Sequence, residues 1–92
     1  MKELPSTVSA YRQTPVFDEN SVPAGLLKSH STKTGVWGKI IVLEGKLIYR
    51  ILEPDVEEIL LTPETAGVVE PTFKHEVVPV QGVRFYVEFY RQ

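Results

Sequence analysis

In 92 residues the chain has no cysteine, three alanines, two histidines, one tryptophan and one methionine. Without cysteine there is no disulfide, no thiolate nucleophile and no cysteine-ligated zinc site. No apolar run approaches the roughly 18 residues of a membrane-spanning helix, so no membrane partner is expected. The opening stretch MKELPSTVSAYRQTP lacks the apolar segment of a secretory signal peptide. A net charge of −2 and a pI of about 5.6 lack the basic excess that phosphate contacts need, so no nucleic-acid partner is expected either. Together these absences point to a cytoplasmic protein. Hydrophobic residues at 42% and charged residues at 24% match an ordinary globular chain and exclude a disordered tail. The length suits one core, hence a single domain over 1–92.

What the chain has in plenty is β-branched side chains. Val, Ile and Thr supply 25 residues. Such side chains lose rotamer freedom in a helix and pack well on a pleated surface. Seven prolines are scattered from Pro5 to Pro79, and the longest stretch without one, 24–53, is cut by Gly25, Gly35, Gly38 and Gly45. A long helix has nowhere to form. Short strands separated by turn residues predict an all-β antiparallel barrel or sandwich with at most a short helical turn. Lys39–Leu43 and Lys46–Leu52 flank Glu44-Gly45 and read as a tight hairpin. Glu53-Pro54-Asp55 reads as a second turn, with Glu57–Thr62 returning. Ala66–Glu70, His75–Val80 and Val83–Arg91 complete the expected strands. In the last of these, Val83, Phe85, Val87 and Phe89 share the expected core face. Arg84, Tyr86, Glu88 and Tyr90 share the other. The acidic run Glu53, Asp55, Glu57, Glu58 reads as a solvated loop, since it lacks the Gly and Asp spacing of a calcium loop.

Functional signal is sparse and sits at His30 and His75. Parity on Leu26–His30 places His30 with Lys28; parity on His75–Val80 places His75 on an apolar face with Val77. Neutral imidazole is the commonest ligand of zinc, iron, copper or nickel, and two imidazoles plus a carboxylate form a common metal site. The competing reading makes both histidines ordinary rim or surface residues. Lys28, Lys33 and Lys39 around His30, and Lys74 beside His75, would make a local positive field able to attract a small oxyanion, or would merely protect strand edges. Ser6, Ser9, Ser21, Ser29 and Ser31 lie in no nucleophile elbow, and Gly35-Val-Trp-Gly38 lacks the rest of a phosphate-binding loop.

The segments Tyr11-Arg-Gln-Thr-Pro-Val-Phe17, Val22-Pro-Ala-Gly-Leu26 and His30-Ser-Thr-Lys-Thr-Gly-Val-Trp-Gly-Lys-Ile-Ile-Val-Leu-Glu-Gly-Lys-Leu47 resemble the small cupin-like domain at the N-terminus of tellurite-resistance TehB-type proteins, a domain also found alone. Val69-Glu-Pro-Thr-Phe-Lys-His75-Glu-Val77 and Phe85-Tyr-Val-Glu-Phe-Tyr90 extend the resemblance over roughly 11–91. It implies a cupin-like antiparallel β barrel of the double-stranded β-helix or jelly-roll type, with His30 near the first cupin motif, Gly45 as that motif's glycine, and His75 as the histidine of the second. The chain departs from the pattern at Thr32, where a second histidine would stand, at Gly38, which replaces a glutamate, and at Glu70, which replaces a proline. A three-histidine site is therefore absent, and Glu70, Glu76 and Glu88 are the candidate additional ligands. The longer TehB-type proteins carry a methyltransferase domain that uses S-adenosylmethionine. These 92 residues show no loop for that cofactor, so neither it nor tellurite methylation is expected of this chain.

Three readings of function follow. The leading one is a small binding protein that holds a divalent metal ion (zinc, iron or nickel) or a small anion in the barrel, without methyltransferase activity. The second is a metal-dependent cupin enzyme of dioxygenase or isomerase type. The third is a dimerising interaction domain that docks a separate methyltransferase. A homodimer is expected, through the Tyr86, Glu88, Tyr90 face. His30 and His75 are expected at the barrel's open end, ring nitrogens about 3–3.5 Å apart on one ion, with affinity falling below about pH 6.5.

Overall fold

The computed structural model describes residues 1–28 and 30–92; Ser29, considered above as a nucleophile, lies outside the described residues. Among these are eight strands: β1 (Ser9–Gln13), β2 (Phe17–Asp18), β3 (Trp37–Glu44), β4 (Leu47–Glu53), β5 (Glu57–Leu61), β6 (Gly67–Val69), β7 (Lys74–Pro79) and β8 (Arg84–Arg91). One 3-10 turn, Ala24–Leu27, is the helical content of the described residues. No helix there is long and apolar enough to cross a membrane.

The strands form two antiparallel sheets. One has five strands in the order β1-β8-β3-β6, with β2 also pairing to β8; the other has three, β5-β4-β7. Period-2 alternation aims one face of each sheet at the other. From the larger sheet come Ile40, Val42, Val69, Phe85 and Val87; from the smaller, Leu47, Tyr49, Ile51, Leu61 and Val77. Burying each such side chain contributes about 1.5–3 kcal/mol. Tyr49 is the one phenol in this core, and its hydroxyl donates to the Val68 carbonyl at 3.0 Å across the sheets. Desolvation, reinforced by the Glu70 and Glu57 carboxylates, pushes that phenol above its usual pKa.

The all-β expectation holds, and the strands expected at 57–62, 66–70, 75–80 and 83–91 form within a residue or two. Three expectations fail. The sheets are not closed into a barrel. The expected 39–52 hairpin does not form: β3 pairs with β8 and β6, β4 with β5 and β7. Gly45, at φ +75°, instead carries the chain from one sheet to the other. A Cβ at Gly45 would lie 3.0 Å from Val83 Cα, so this corner is packed against the 82–83 backbone. A hairpin and a corner share one sequence pattern, two alternating strands about a glycine. The corner wins because it lets Ile40 and Val42 face Leu47, Tyr49 and Ile51 across a core. Lastly, of the expected strand Leu26–His30, Leu26 and Leu27 belong to the 3-10 turn and His30 forms an isolated bridge to His75, while Ser29 lies outside the described residues.

Candidate ligand-binding site

His30 and His75 meet through the backbone. Each amide N–H donates to the other's carbonyl at 2.8 Å. Residues that exchange both bonds in an antiparallel pair project their side chains to the same face. The rings accordingly meet edge to face, centroids 5.4 Å apart and planes at 83°. Ile51 flanks His75 on the other side of β7, and the Tyr49 ring packs edge-on to its imidazole at 5.7 Å. His75 is 4% exposed. Its Nδ1 lies 3.1 Å from the Phe73 carbonyl. A carbonyl only accepts, so Nδ1 carries the proton and Nε2 keeps a lone pair. Burial is the main force holding the His75 pKa below the usual histidine value; the Phe73 carbonyl opposes it and the neighbouring His30 adds to it. His75 is thus a neutral imidazole at neutral pH.

The pair borders a cavity of about 320 Å³ between the sheets. Most of its lining is apolar, with Phe17, Leu26, Ile40, Val69, Val87 and Phe89 among the walls. Its polar side chains are Arg12, Thr14, His30, Thr32 and His75, and no carboxylate belongs to it among the described residues. Both hydroxyls are committed: Thr14 donates to the Pro15 carbonyl at 2.8 Å and accepts from the Val87 amide at 3.0 Å, and Thr32 donates to the Val36 carbonyl at 2.7 Å.

The carboxylates weighed as additional ligands do not join the histidines. Glu76 follows His75 on β7 and therefore points to the outer face, where Arg50 bridges it to Glu58. Glu88 lies between inward Val87 and Phe89 and accepts from the Tyr90 hydroxyl at 3.0 Å. Glu70 lies just beyond β6, with Lys2 Nζ at 3.8 Å. Among the described residues no group of three His, Cys, Asp or Glu is disposed to hold a metal. Lys28 and Lys33 are exposed and lie outside the cavity lining.

Arg12 lines the cavity too, and nothing in the sequence singles it out. On β1, Ala10 pairs with Tyr90 and Arg12 with Phe89, so Tyr11 is an extra residue, a β-bulge. The bulge reverses the parity of the strand and sets Arg12, opposite Phe89, on the cavity side. Alternation alone would have put Tyr11 there, and no residue type at 9–13 announces the irregularity.

A family model, the TehB-like domain, matches residues 12–87. The chain belongs to the TehB-like family. Over 71 residues it is 39% identical to the probable S-adenosyl-L-methionine-dependent methyltransferase TehB of Haemophilus influenzae Rd, a match covering 73% of this chain and 25% of that protein. The corresponding protein of a second strain matches equally. The chain thus spans about a quarter of the length of the curated relatives it matches. Among solved structures, Haemophilus influenzae TehB superposes with a TM-score of 0.86 at 34% identity, over 95% of this chain and 32% of that one. A protein of Escherichia coli K12 superposes equally well, TM-score 0.86, at 22% identity over 98% of this chain and 96% of its own; that likeness bears on the fold alone.

Proposed function

We propose that this TehB-like domain is a binding module that takes a small, mainly apolar molecule between its two sheets, in the cavity that His30 and His75 border. The observation carrying this reading is the cavity of about 320 Å³ with an apolar lining and a buried imidazole pair in its wall. Ligand pockets begin near about 300 Å³ and pair apolar walls with a few convergent polar groups. The Nε2 lone pair of His75 supplies an acceptor for a hydroxyl or amide. The test uses the uncharged probe 3-phenylpropanamide and the isotope-labelled chain in solution. Saturable amide shifts at Gly38, Val77 and Val87, weakened in His75→Ala, are expected. No saturable shift at those positions, with this probe or its carboxylate, would remove the reading.

A second reading, a shared divalent metal ion, is favoured by the ring geometry. Two imidazoles with centroids 5.4 Å apart are compatible with two ligands of one tetrahedral ion. They supply two donors, and the cavity's cationic Arg12 weighs against a cation. Zinc, iron and nickel titrations of wild type and His75→Ala decide it: stoichiometric binding lost in the variant supports the ion, and equal binding by both proteins refutes it.

A further inference from the structure

The four arginines are employed differently. Arg50 bridges Glu58 and Glu76, Arg84 faces Glu44 at 3.4 Å, and Arg91 lies over the Tyr11 ring at 4.0 Å. Arg12 makes no ion pair among the described residues, and it is the one arginine in the cavity lining. It gets there by the bulge at Tyr11, a device that re-aims side chains and recurs beside functional sites. Across the sheet its row runs Arg12, Phe89, Gly38, Val69. Gly38 adds no side chain to that row between the aromatic Phe89 and the branched Val69. With both threonine hydroxyls engaged and no carboxylate in the lining among the described residues, Arg12 is the one residue there whose side chain carries a permanent charge.

We infer that Arg12 is the anchor of an anionic head group, and that the ligand class is a small monocarboxylate with an apolar, aryl-sized body. This inference rests on the binding-module reading and adds the sign of the ligand's charge and the residue that recognises it. A planar guanidinium matches a carboxylate with two parallel hydrogen bonds. One arginine and no second cation in the lining select a monoanion over a di- or trianion. Phe17, Leu26 and Phe89 supply apolar and aromatic surface for the body, and about 320 Å³ is the scale of an aryl-sized body.

The experiment compares 3-phenylpropanoate with its isosteric amide, 3-phenylpropanamide, by calorimetry on wild type, Arg12→Met and Lys39→Met. Lys39 lies on the outer face of the same sheet, between inward Gly38 and Ile40, and controls for general electrostatics. The carboxylate is expected to bind wild type about tenfold or more tighter than the amide, the scale of one charge-assisted pair. Arg12→Met should abolish that preference, so that acid and amide bind it about equally, while Lys39→Met should preserve it. Arg12 is exposed near a sheet edge, and a wild-type far-UV circular dichroism spectrum and thermal midpoint are the check on folding of the variant. Equal binding of acid and amide to wild type, or a preference that survives Arg12→Met, overturns the inference and leaves the binding module standing. Failure of both probes removes the module itself.

Discussion

Two glycines on neighbouring strands show how differently the space between the sheets is used. Gly67 on β6 lies opposite Ile40, and Gly38 on β3 lies opposite Val69. Both face inward. A Cβ at Gly67 would come within 2.8 Å of Leu61 Cδ1 and 3.2 Å of Tyr49 Cδ2, side chains of the opposing sheet. A Cβ at Gly38 would meet first Val69 at 3.2 Å and Val87 at 3.8 Å, neighbours within its own sheet. Around Gly67 the opposing sheet closes down to jigsaw contact, and around Gly38 it leaves the cavity. The same residue type thus serves packing in one place and access in the other. What differs is the side chain facing it: Leu61 and Tyr49 fill one region, while the other is bordered by imidazoles held back in a backbone-bridged pair.

Substitutions can break or sharpen this contrast. The largest effect is expected from Leu61→Ala in the filled region, about 2–5 kcal/mol of lost stability by chemical denaturation, because surroundings this tight cannot collapse into the void. Next is Gly67→Ala, where the new methyl must displace Leu61 and Tyr49 at a cost of about 1–3 kcal/mol. Gly38→Ala should destabilise less and instead narrow the cavity floor, seen as weaker 3-phenylpropanamide binding. Equal destabilisation by the two glycine substitutions would erase the distinction. The smallest effect concerns pH. Burial holds the His75 pKa below its unfolded value, so the unfolded chain takes up the proton first as pH falls. Stability contributed by neutral His75 is therefore complete above about pH 6.5 and declines below it, by at most about 1.4 kcal/mol per pH unit. His75→Phe should flatten that part of the pH–stability profile; an unchanged slope would mean another group titrates there.

Legibility followed the length scale of each interaction. The strands from 57 to 91 were readable because alternation is a local property, and the face carrying Val83, Phe85, Val87 and Phe89 is the inward face of β8 and the residue before it. The inward parity of His75 was readable for the same reason. His30 is bridged to His75 through the backbone, while Leu26 and Leu27, read from the sequence as strand, lie in the 3-10 turn. The position of His30 comes from two long-range backbone hydrogen bonds, which leave no mark on residues 26–30. The carboxylates Glu70, Glu76 and Glu88 were attractive as metal ligands by chemistry alone. Strand parity could have dismissed Glu76 and Glu88, since each directly follows an inward residue. Arg12 was invisible, because a bulge is an insertion in pairing and has no composition of its own.

The sequence by itself determined that the chain is β-structured, that it has one core, and which side chains enter it, since rotamer sterics, proline placement and period-2 burial act within a few residues. It also carried enough of the family's segments to show the resemblance. Tertiary structure decided the rest: that Gly45 turns a corner and closes no hairpin, that two open sheets replace a barrel, and that Arg12, His30 and His75 border one cavity. Each of those outcomes depends on which distant strand a segment pairs with. That choice is made by the free energy of the whole packed core, and a local pattern common to several pairings cannot express it.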